Sequence, residues 1–556
     1  MSTLAAVRMF HFEPRRVAHA LASVALLGGL ASCSLIVVDA TPCESDDQCG
    51  DLFGAGSICA ASGYCEAPGE ASGSLTCTST AECLAGAGFG QTCNLTDADE
   101  ETPGVCESIE VPSRCSTRSF PADLAADPGA YDDRIVIGVL TDSAIRSHAD
   151  REDAIELAFK QINENGGLEG TQFGVLYCDI GEGTAGGFSD GLSRPDAAES
   201  VTDWLVNGAG VPAIIGAPSS GDTSLIFEEV ANKQDVRGQT VVISASATDP
   251  SLVDFDVPAR GSATDNNPGL LWRTAGDGTA QIAALVADMN DQGLSSVAVV
   301  REQSPFAGTQ QAVGGSFAQS FVDAWDGEAD QFAYAGGSTS GRDQKIREVD
   351  AAVGEGSFDA VLFVGPTADA AAYLRQATDD DAIPDGFPIY FSAPGANDEI
   401  FDGVGDARLF TSVVAAQPVP DGGFEYDSFN ESFRAAYGND PLRSTFTAEA
   451  YDAAWFIALG SAWALFQSDD TLTETESGLP VVRGEDIARG MRKTTTGTPV
   501  QFLPTEWSKV ISQFRSGRPI DVVGAANQYA FDLGDEQAPA QVQLVIGTED
   551  GGYEPL

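Results

Sequence analysis

The sequence predicts an α/β protein of two lobes, each a parallel sheet flanked by helices, behind a small disulfide-rich region. Three observations predict it. From Arg134 onward short apolar runs alternate with amphipathic segments, the texture of βα units that build a parallel sheet. A second run of the same kind begins after Leu271-Trp272-Arg273-Thr274, which implies two sheets. Ahead of both, eight of the 11 cysteines fall into two similarly spaced groups. At 556 residues the chain exceeds one ordinary domain, and its 43% apolar content can fill more than one core.

Each element has a local reason. Residues 134–140 (RIVIGVL) read as a buried strand. Residues 149–165 read as a helix, with Ala154, Leu157, Ala158 and Ile162 at amphipathic spacing and Gly166-Gly167 to stop it. A strand at 173–178, a helix at 197–206, a strand at 213–215, a helix at 225–232 and a strand at 241–243 complete the first run. The second run holds a helix at 279–289, a strand at 296–300, a helix at 310–325 and a strand at 331–334. It continues with a helix at 343–353, a strand at 358–364, a helix at 368–378 and a strand at 387–391. The tail reads as helices at 426–437, 445–466 and 484–491, with closing strands at 529–533 and 541–547.

Two loops stand out. The run 213–215 ends in Ser219, Ser220 and Thr223 around Gly221, and the run 241–243 ends in Ser244, Ser246 and Thr248. Parallel sheets bind ligands outside the carboxyl ends of their strands. Small hydroxyl residues there, opening into helices, offer hydroxyls and backbone N–H groups to an anionic head group such as a carboxylate.

The N-terminus reads as a targeting segment. Arg15-Arg16 form a basic stretch, and residues 17–30 form an apolar stretch too short for a permanent span. The segment ends in Leu30-Ala31-Ser32-Cys33, which resembles the bacterial lipobox, so Cys33 is the expected lipidated first residue of the mature chain. The formal charge is −54, and residues 1–32 are net basic, so the exported part is still more acidic. Such a surface disfavours nucleic acid and anionic lipid as partners. The expected location is a bacterial cell envelope, periplasmic or at the outer surface, with membrane contact through the lipid alone.

Setting Cys33 aside leaves ten cysteines, an even number that suits a disulfide framework in an oxidising compartment. Cys43, Cys49, Cys59 and Cys65 form one group, and Cys77, Cys83, Cys93 and Cys106 the next. The first three of each recur at a period of 34 residues, so the region is an internal repeat whose pairing the sequence leaves open. Cys115 and Cys178 remain to close a loop at the edge of the first lobe. Residues 33–115 are therefore the cysteine-rich region, after a signal peptide at 1–32, and 116–132 read as a linker.

The motifs of catalysis are missing. Only His148 lies beyond the targeting segment, since His11 and His19 are inside it. No G-x-S-x-G elbow, phosphate loop or histidine metal cluster is present, which argues against an enzyme and against a metal or other cofactor.

From Arg134 to the end the chain resembles the type I periplasmic binding proteins, in the branched-chain amino-acid (Leu/Ile/Val) branch. The segments that carry this are RIVIGVL, AIELAFKQINENGGLEG, AIIGAPSSGDT, TVVISASATDP, LLWRTAGDGTAQ, FDAVLFVGPTADAAAYLRQA, TAEAYDAAWFIALG and YAFDLGDEQ. The resemblance implies two lobes joined by three hinge crossovers. Lobe one would be 133–272 with 420–531, and lobe two 273–419 with 532–556. It implies a substrate-binding lipoprotein that captures an amino acid or related small carboxylate in the cleft for an ABC importer. The alternative is a sensory or scavenging receptor on the same fold with no permease. By position, the resemblance implies ligand-binding roles for Ser147, Ser220, Ser246, Ala247, Thr248, Phe306, Thr367 and Pro394. Ser220 would donate to a ligand carboxylate, and Ser246, Ala247 and Thr248 would add N–H groups. Pro394 stands where the family places an acidic partner for the ligand's ammonium, so Asp398, Glu399, Asp142 and Asp452 are the substitutes to examine.

Overall fold

In a computed structural model of the chain, the described residues are 58–59, 65–66, 75–95, 103–183, 187–231, 240–253, 255–256, 263–303, 315–379, 383–405, 407–467, 481–531, 533–534 and 536–556. The targeting segment, Cys33, Cys43, Cys49 and Phe306 lie outside them. The chain divides into two compact units, 1–74 and 75–556. In the first, β1 (Ile58–Cys59) pairs antiparallel with β2 (Cys65–Glu66), with Cys59 opposite Cys65.

The second unit opens with the second cysteine group. Strands β3 (Thr76–Cys77), β4 (Gln91–Asn94) and β5 (Gly104–Ser108) form an antiparallel sheet in the order β3-β5-β4, capped by the helix Thr80–Ala87. Disulfides Cys77–Cys93 and Cys83–Cys106 tie that helix and β3 to the other strands. The module is not a free spacer. The Thr80 hydroxyl donates to the Asn207 carbonyl at 2.5 Å, and Leu84 packs beside Gly210. A third disulfide, Cys115–Cys178, fastens the following segment to the adjoining sheet.

That sheet contains β6 (Arg118–Phe120), β7 (Ile135–Thr141), β8 (Phe173–Asp179), β9 (Ala213–Ile215), β10 (Val241–Ser244) and β11 (Leu271–Arg273). Its order is β11-β10-β9-β7-β8-β6, parallel except for β6 at one edge. Every residue of β7 and β8 is buried, as a sheet covered by helices on both faces requires. The helix Arg146–Glu164 covers it together with Thr447–Gln467, which is buried on nearly all sides. The latter crosses the helix Gly484–Met491 closely. A Cβ at Gly490 would lie 2.5 Å from the Gly460 carbonyl oxygen, so the crossing requires glycine.

The second sheet is built from β12 (Ser296–Gln303), β13 (Glu328–Ala335), β14 (Ala360–Val364), β15 (Ile389–Phe391) and β16 (Val413–Pro418). Between these and its last strands, β17 (Thr498–Gln501) and β18 (Ile520–Val523) form a separate parallel pair. The sheet closes with β19 (Val542–Gly547) and β20 (Tyr553–Pro555), antiparallel, giving the order β13-β12-β14-β15-β16-β19-β20. The chain thus passes from one sheet's side to the other after β11, after β16 and after β18.

Three features differ from the sequence reading. Among the described residues of 529–533 no strand forms. The chain turns at Gly524, whose N–H donates to Asn527 O, and lays the rings of Tyr529 and Phe531 against Phe456 with centroids 4.7 and 4.9 Å apart. Residues 271–273 form the edge strand β11 as well as leading into a crossover. The β17–β18 pair and the helix Trp507–Arg515 were not foreseen, because their apolar runs are short and interrupted by residues such as Pro499 and Asp521. Among the described residues no helix is long and apolar enough to cross a membrane.

Candidate ligand-binding site

The carboxyl ends of the two sets of parallel strands face each other across a cavity of about 300 Å³. One wall comes from the first sheet. It consists of Asp142, Ala144 and Ile145 after β7, Pro218 to Asp222 after β9, and Ser246, Thr248 and Asp249 after β10, with His148 and Arg151 from the helix Arg146–Glu164. The other comes from the second sheet. It consists of Glu302 in β12, Ser338 and Thr339 after β13, Gly365 to Asp369 after β14, and Ser392 and Pro394 after β15. Phe446, at the start of the long helix Thr447–Gln467, closes one side. A larger cavity, about 450 Å³, lies at the opposite ends of β7 against the disulfide module. The convergence of charged groups and hydroxyls selects the cleft as the site.

The hydroxyl loops are themselves organised by hydrogen bonds. Ser220 Oγ accepts from the backbone N–H of Thr248 and of Asp249, both at 3.1 Å, which ties the two loops together. Ser246 Oγ donates to Pro218 O at 3.0 Å, and Ala247 N–H donates to Ser244 Oγ at 3.1 Å. So Ser220, Ser246 and Thr248 line the cavity, while the N–H groups of Ala247 and Thr248 are engaged inside the wall. Ala247 is fully buried and is not part of the lining. Thr367 and Pro394 line the opposite wall, where the Thr367 hydroxyl donates to Pro394 O at 2.7 Å.

Ser147 does not line the cavity. Its hydroxyl and N–H donate to Glu399, whose carboxylate also accepts from Arg146 N–H at 2.8 Å. Ile145, the residue before this helix, offers no capping side chain, so an acid from the second sheet's side caps a helix of the first. Arg146 Nη1 adds an ion pair with Asp402 at 3.0 Å, and Asn397 Oδ1 accepts from Thr445 N–H at 2.7 Å. These bonds hold the walls together in a closed arrangement.

The candidate ammonium partners separate. Glu399 is engaged as the cap, and Asp398, partly buried, is not part of the lining. Asp452 is fully buried elsewhere; it accepts from Ala525 N–H, Ala526 N–H and the Tyr529 hydroxyl, and burial pushes its carboxyl up to about 7. Asp142 does line the cavity, but Arg194 bridges it to Asp222.

Among the charged or titratable residues of the cavity that the sequence reading missed, Arg194, Glu302, His148 and Arg151 stand out. Arg194 is the clamp just described. Glu302 lies at the end of β12, and burial together with Asp369 and Asp222 pushes its carboxyl up to about 8. His148 is kept neutral by burial and by the nearby Arg151 and Arg194, which push its imidazole well below the usual range. Arg151 is buried, and burial lowers its guanidinium to about 10, still a cation at neutral pH. The signal was present: His148 and Arg151 continue the apolar stripe of Ala154, Ile155 and Ala158 at spacings of three and four, so the helix must bury them.

A cavity closed between two helix-covered sheets, which the chain links three times, defines a two-lobed solute-binding architecture. The chain belongs to the periplasmic binding protein family, whose profile matches residues 135–503. No curated protein matches the sequence. Solved structures share the fold at low identity. The branched-chain amino acid transporter substrate-binding protein LivJ of Streptococcus pneumoniae, in complex with isoleucine, is 19% identical with a TM-score of 0.53, covering 76% of this chain and 98% of its own. The leucine-binding protein LivK of Thermotoga maritima is 16% identical with a TM-score of 0.53, covering 76% and 97%. A solute-binding protein of R. palustris in complex with benzoate is 15% identical with a TM-score of 0.50, covering 76% and 95%. The S. pneumoniae protein is a transporter substrate-binding protein and the R. palustris protein a solute-binding protein of an ABC transporter.

Proposed function

We propose that this protein captures a small carboxylate, an amino acid or a related acid, by closing two lobes around it and delivers it to an ABC importer. No catalytic role is assigned. The observation that carries the reading is the cavity itself, whose one wall is made by the hydroxyl loops at the ends of β9 and β10. Isoleucine and benzoate, found in solved relatives, share a carboxylate on an apolar body. Lobe one is taken as 133–272 with 420–531, and lobe two as 273–419 with 532–556, with hinges at the three crossovers. Ser220, Ser246, Thr248, Thr367 and Pro394 contact the ligand. Cys33 carries the lipid that tethers the protein in the cell envelope. A second reading, a sensory or scavenging receptor without a permease, is favoured by the disulfide module packed on lobe one, which presents an additional surface for another protein.

Thermal unfolding of the purified protein against amino acids, benzoates and other small acids tests the reading, because a ligand bound only by the folded state raises Tm. A rise of several degrees with at least one acid supports it. No shift with any acid at millimolar concentration defeats it. Loss of uptake of that acid on gene deletion selects the importer over the receptor.

A further inference from the structure

The cavity wall contains a buried cation with one unsatisfied nitrogen. Arg151 stands in the second turn of the helix Arg146–Glu164 and is 7% exposed. Its Nε–H donates to Thr445 O at 3.0 Å, and its guanidinium lies 5.3 Å from the centre of the Phe446 ring. Its Nη1 is buried and, among the described residues, has no hydrogen-bond partner. Arg151 lines both the cleft and a void of about 30 Å³ that shares His148, Pro218 and Ser246 with it.

The other two arginines of the cavity are engaged. Arg194 is clamped by Asp142 and Asp222, and Arg342 by Asp369 at 2.6 Å and Asp343 at 2.7 Å. The carboxylates that act on Arg151, namely Glu399, Glu449 and Asp150, do so through space. Glu399 is committed to Arg146 and Ser147, and Asp150 to Arg443 and Ser444. A buried guanidinium with an open N–H is costly unless an acceptor arrives, and a planar carboxylate matches its fork. The Ser220 hydroxyl and the start of the helix Ser220–Ala231 line the same cavity, and the helix dipole there also favours an anion.

We propose that Arg151 grips the ligand's carboxylate through Nη1, with the Ser220 side of the cavity completing the seat. The ligand class is then a small acid recognised by its charge, and no ammonium group is required for binding. This rests on the small-acid reading above and deepens it.

The test is calorimetric titration of the purified protein with isobutyrate and cyclohexanecarboxylate, each against its isosteric amide. In the wild type the acid binds at least tenfold tighter than the amide. Arg151→Gln weakens acid binding by about ten- to a hundredfold and leaves the amide nearly unchanged, the scale of a charged hydrogen bond. Arg151→Lys, which keeps the charge but not the fork, falls between them and carries the test if Arg151→Gln fails to fold. A folded Arg151 variant that binds the acid as the wild type does overturns the inference while leaving the small-acid reading intact. Amides that bind the wild type as tightly as the acids overturn it without any variant. No binding of either probe to the wild type overturns this inference, because neither acid carries an ammonium group, while the small-acid reading is decided by the wider thermal-unfolding panel.

Discussion

Glu399→Ala opens the cleft. The Glu399 carboxylate accepts from the N–H groups of Arg146 and Ser147 and from the Ser147 hydroxyl, across the gap between the two walls. Loss of a helix cap costs about 0.5–2 kcal/mol, and a hydrogen bond to a charged group contributes about 1.5–3. Glu399 is only half-buried, so solvent screening reduces the sum, and a net loss of about 1–2 kcal/mol is expected. That shifts the closed-to-open ratio by about five- to thirtyfold. The consequence depends on the starting ratio, because apparent affinity scales with the closed fraction. If the free protein is mostly closed, roughly ten to one, a tenfold shift leaves about half closed. Affinity then falls less than twofold, and the change appears in the radius of gyration. If it is mostly open, scattering barely moves and affinity falls about tenfold. Small-angle scattering of the free protein and calorimetry with an identified ligand therefore read the same perturbation in complementary regimes. Glu399→Gln, which keeps an acceptor but not the charge, should give a smaller effect in the same direction. Unchanged scattering together with unchanged affinity in folded Glu399→Ala would refute the latch.

Ser220→Ala removes the acceptor shared by Thr248 N–H and Asp249 N–H, so it should cost about 1–3 kcal/mol in urea unfolding and weaken acid binding. A change in neither places the loop's order elsewhere. Replacing Cys115 and Cys178 together by alanine reopens a loop of 63 residues and should cost about 4 kcal/mol by the chain-entropy relation; a midpoint shift equivalent to under 1 would contradict it. Two buried groups make opposite pH predictions, read as urea midpoints across pH. Glu449 is pushed up to about 7 by burial, so the folded state binds its proton first. Its contribution is fully present below about 4.5 and fades as pH rises to about 7, so Glu449→Gln loses ground to the wild type as pH falls through that window. His148 is pushed down, so the unfolded state binds its proton first below about 6.5, and His148→Gln gains on the wild type as pH falls there. Parallel profiles for either variant would show that group to be solvated.

Much of the fold was legible because its signals are local. The runs at 213–215 and 484–491 coincide with observed elements, and most others agree to within a few residues, since an apolar run between turn residues leaves few alternatives. Two of the failures share one cause. The strand expected at 529–533 is apolar, but its rings are held by Phe456 from a distant helix, and side-chain packing there overrides the strand pattern. The acidic partner sought near Pro394 was misplaced for a related reason. Glu399 lies in that loop, yet its charge is drawn to the uncapped helix start at Arg146, a site more than two hundred residues away in the chain.

By itself the sequence determined the βα alternation, the two sheets, the cysteine repeat and the hydroxyl loops of one wall. All of these follow from residue patterns within one or two elements. Only the tertiary structure decided the disulfide pairing Cys77–Cys93 and Cys83–Cys106, because pairing depends on which sulfurs the chain brings together. It also decided which charges face the cavity. Asp142 and Asp222 are bridged by Arg194, the Glu302 carboxyl is pushed up by burial, and Arg151 is left with an open N–H. A charge acts through what surrounds it, and those surroundings come from opposite walls of a cleft that exists only once the chain has folded.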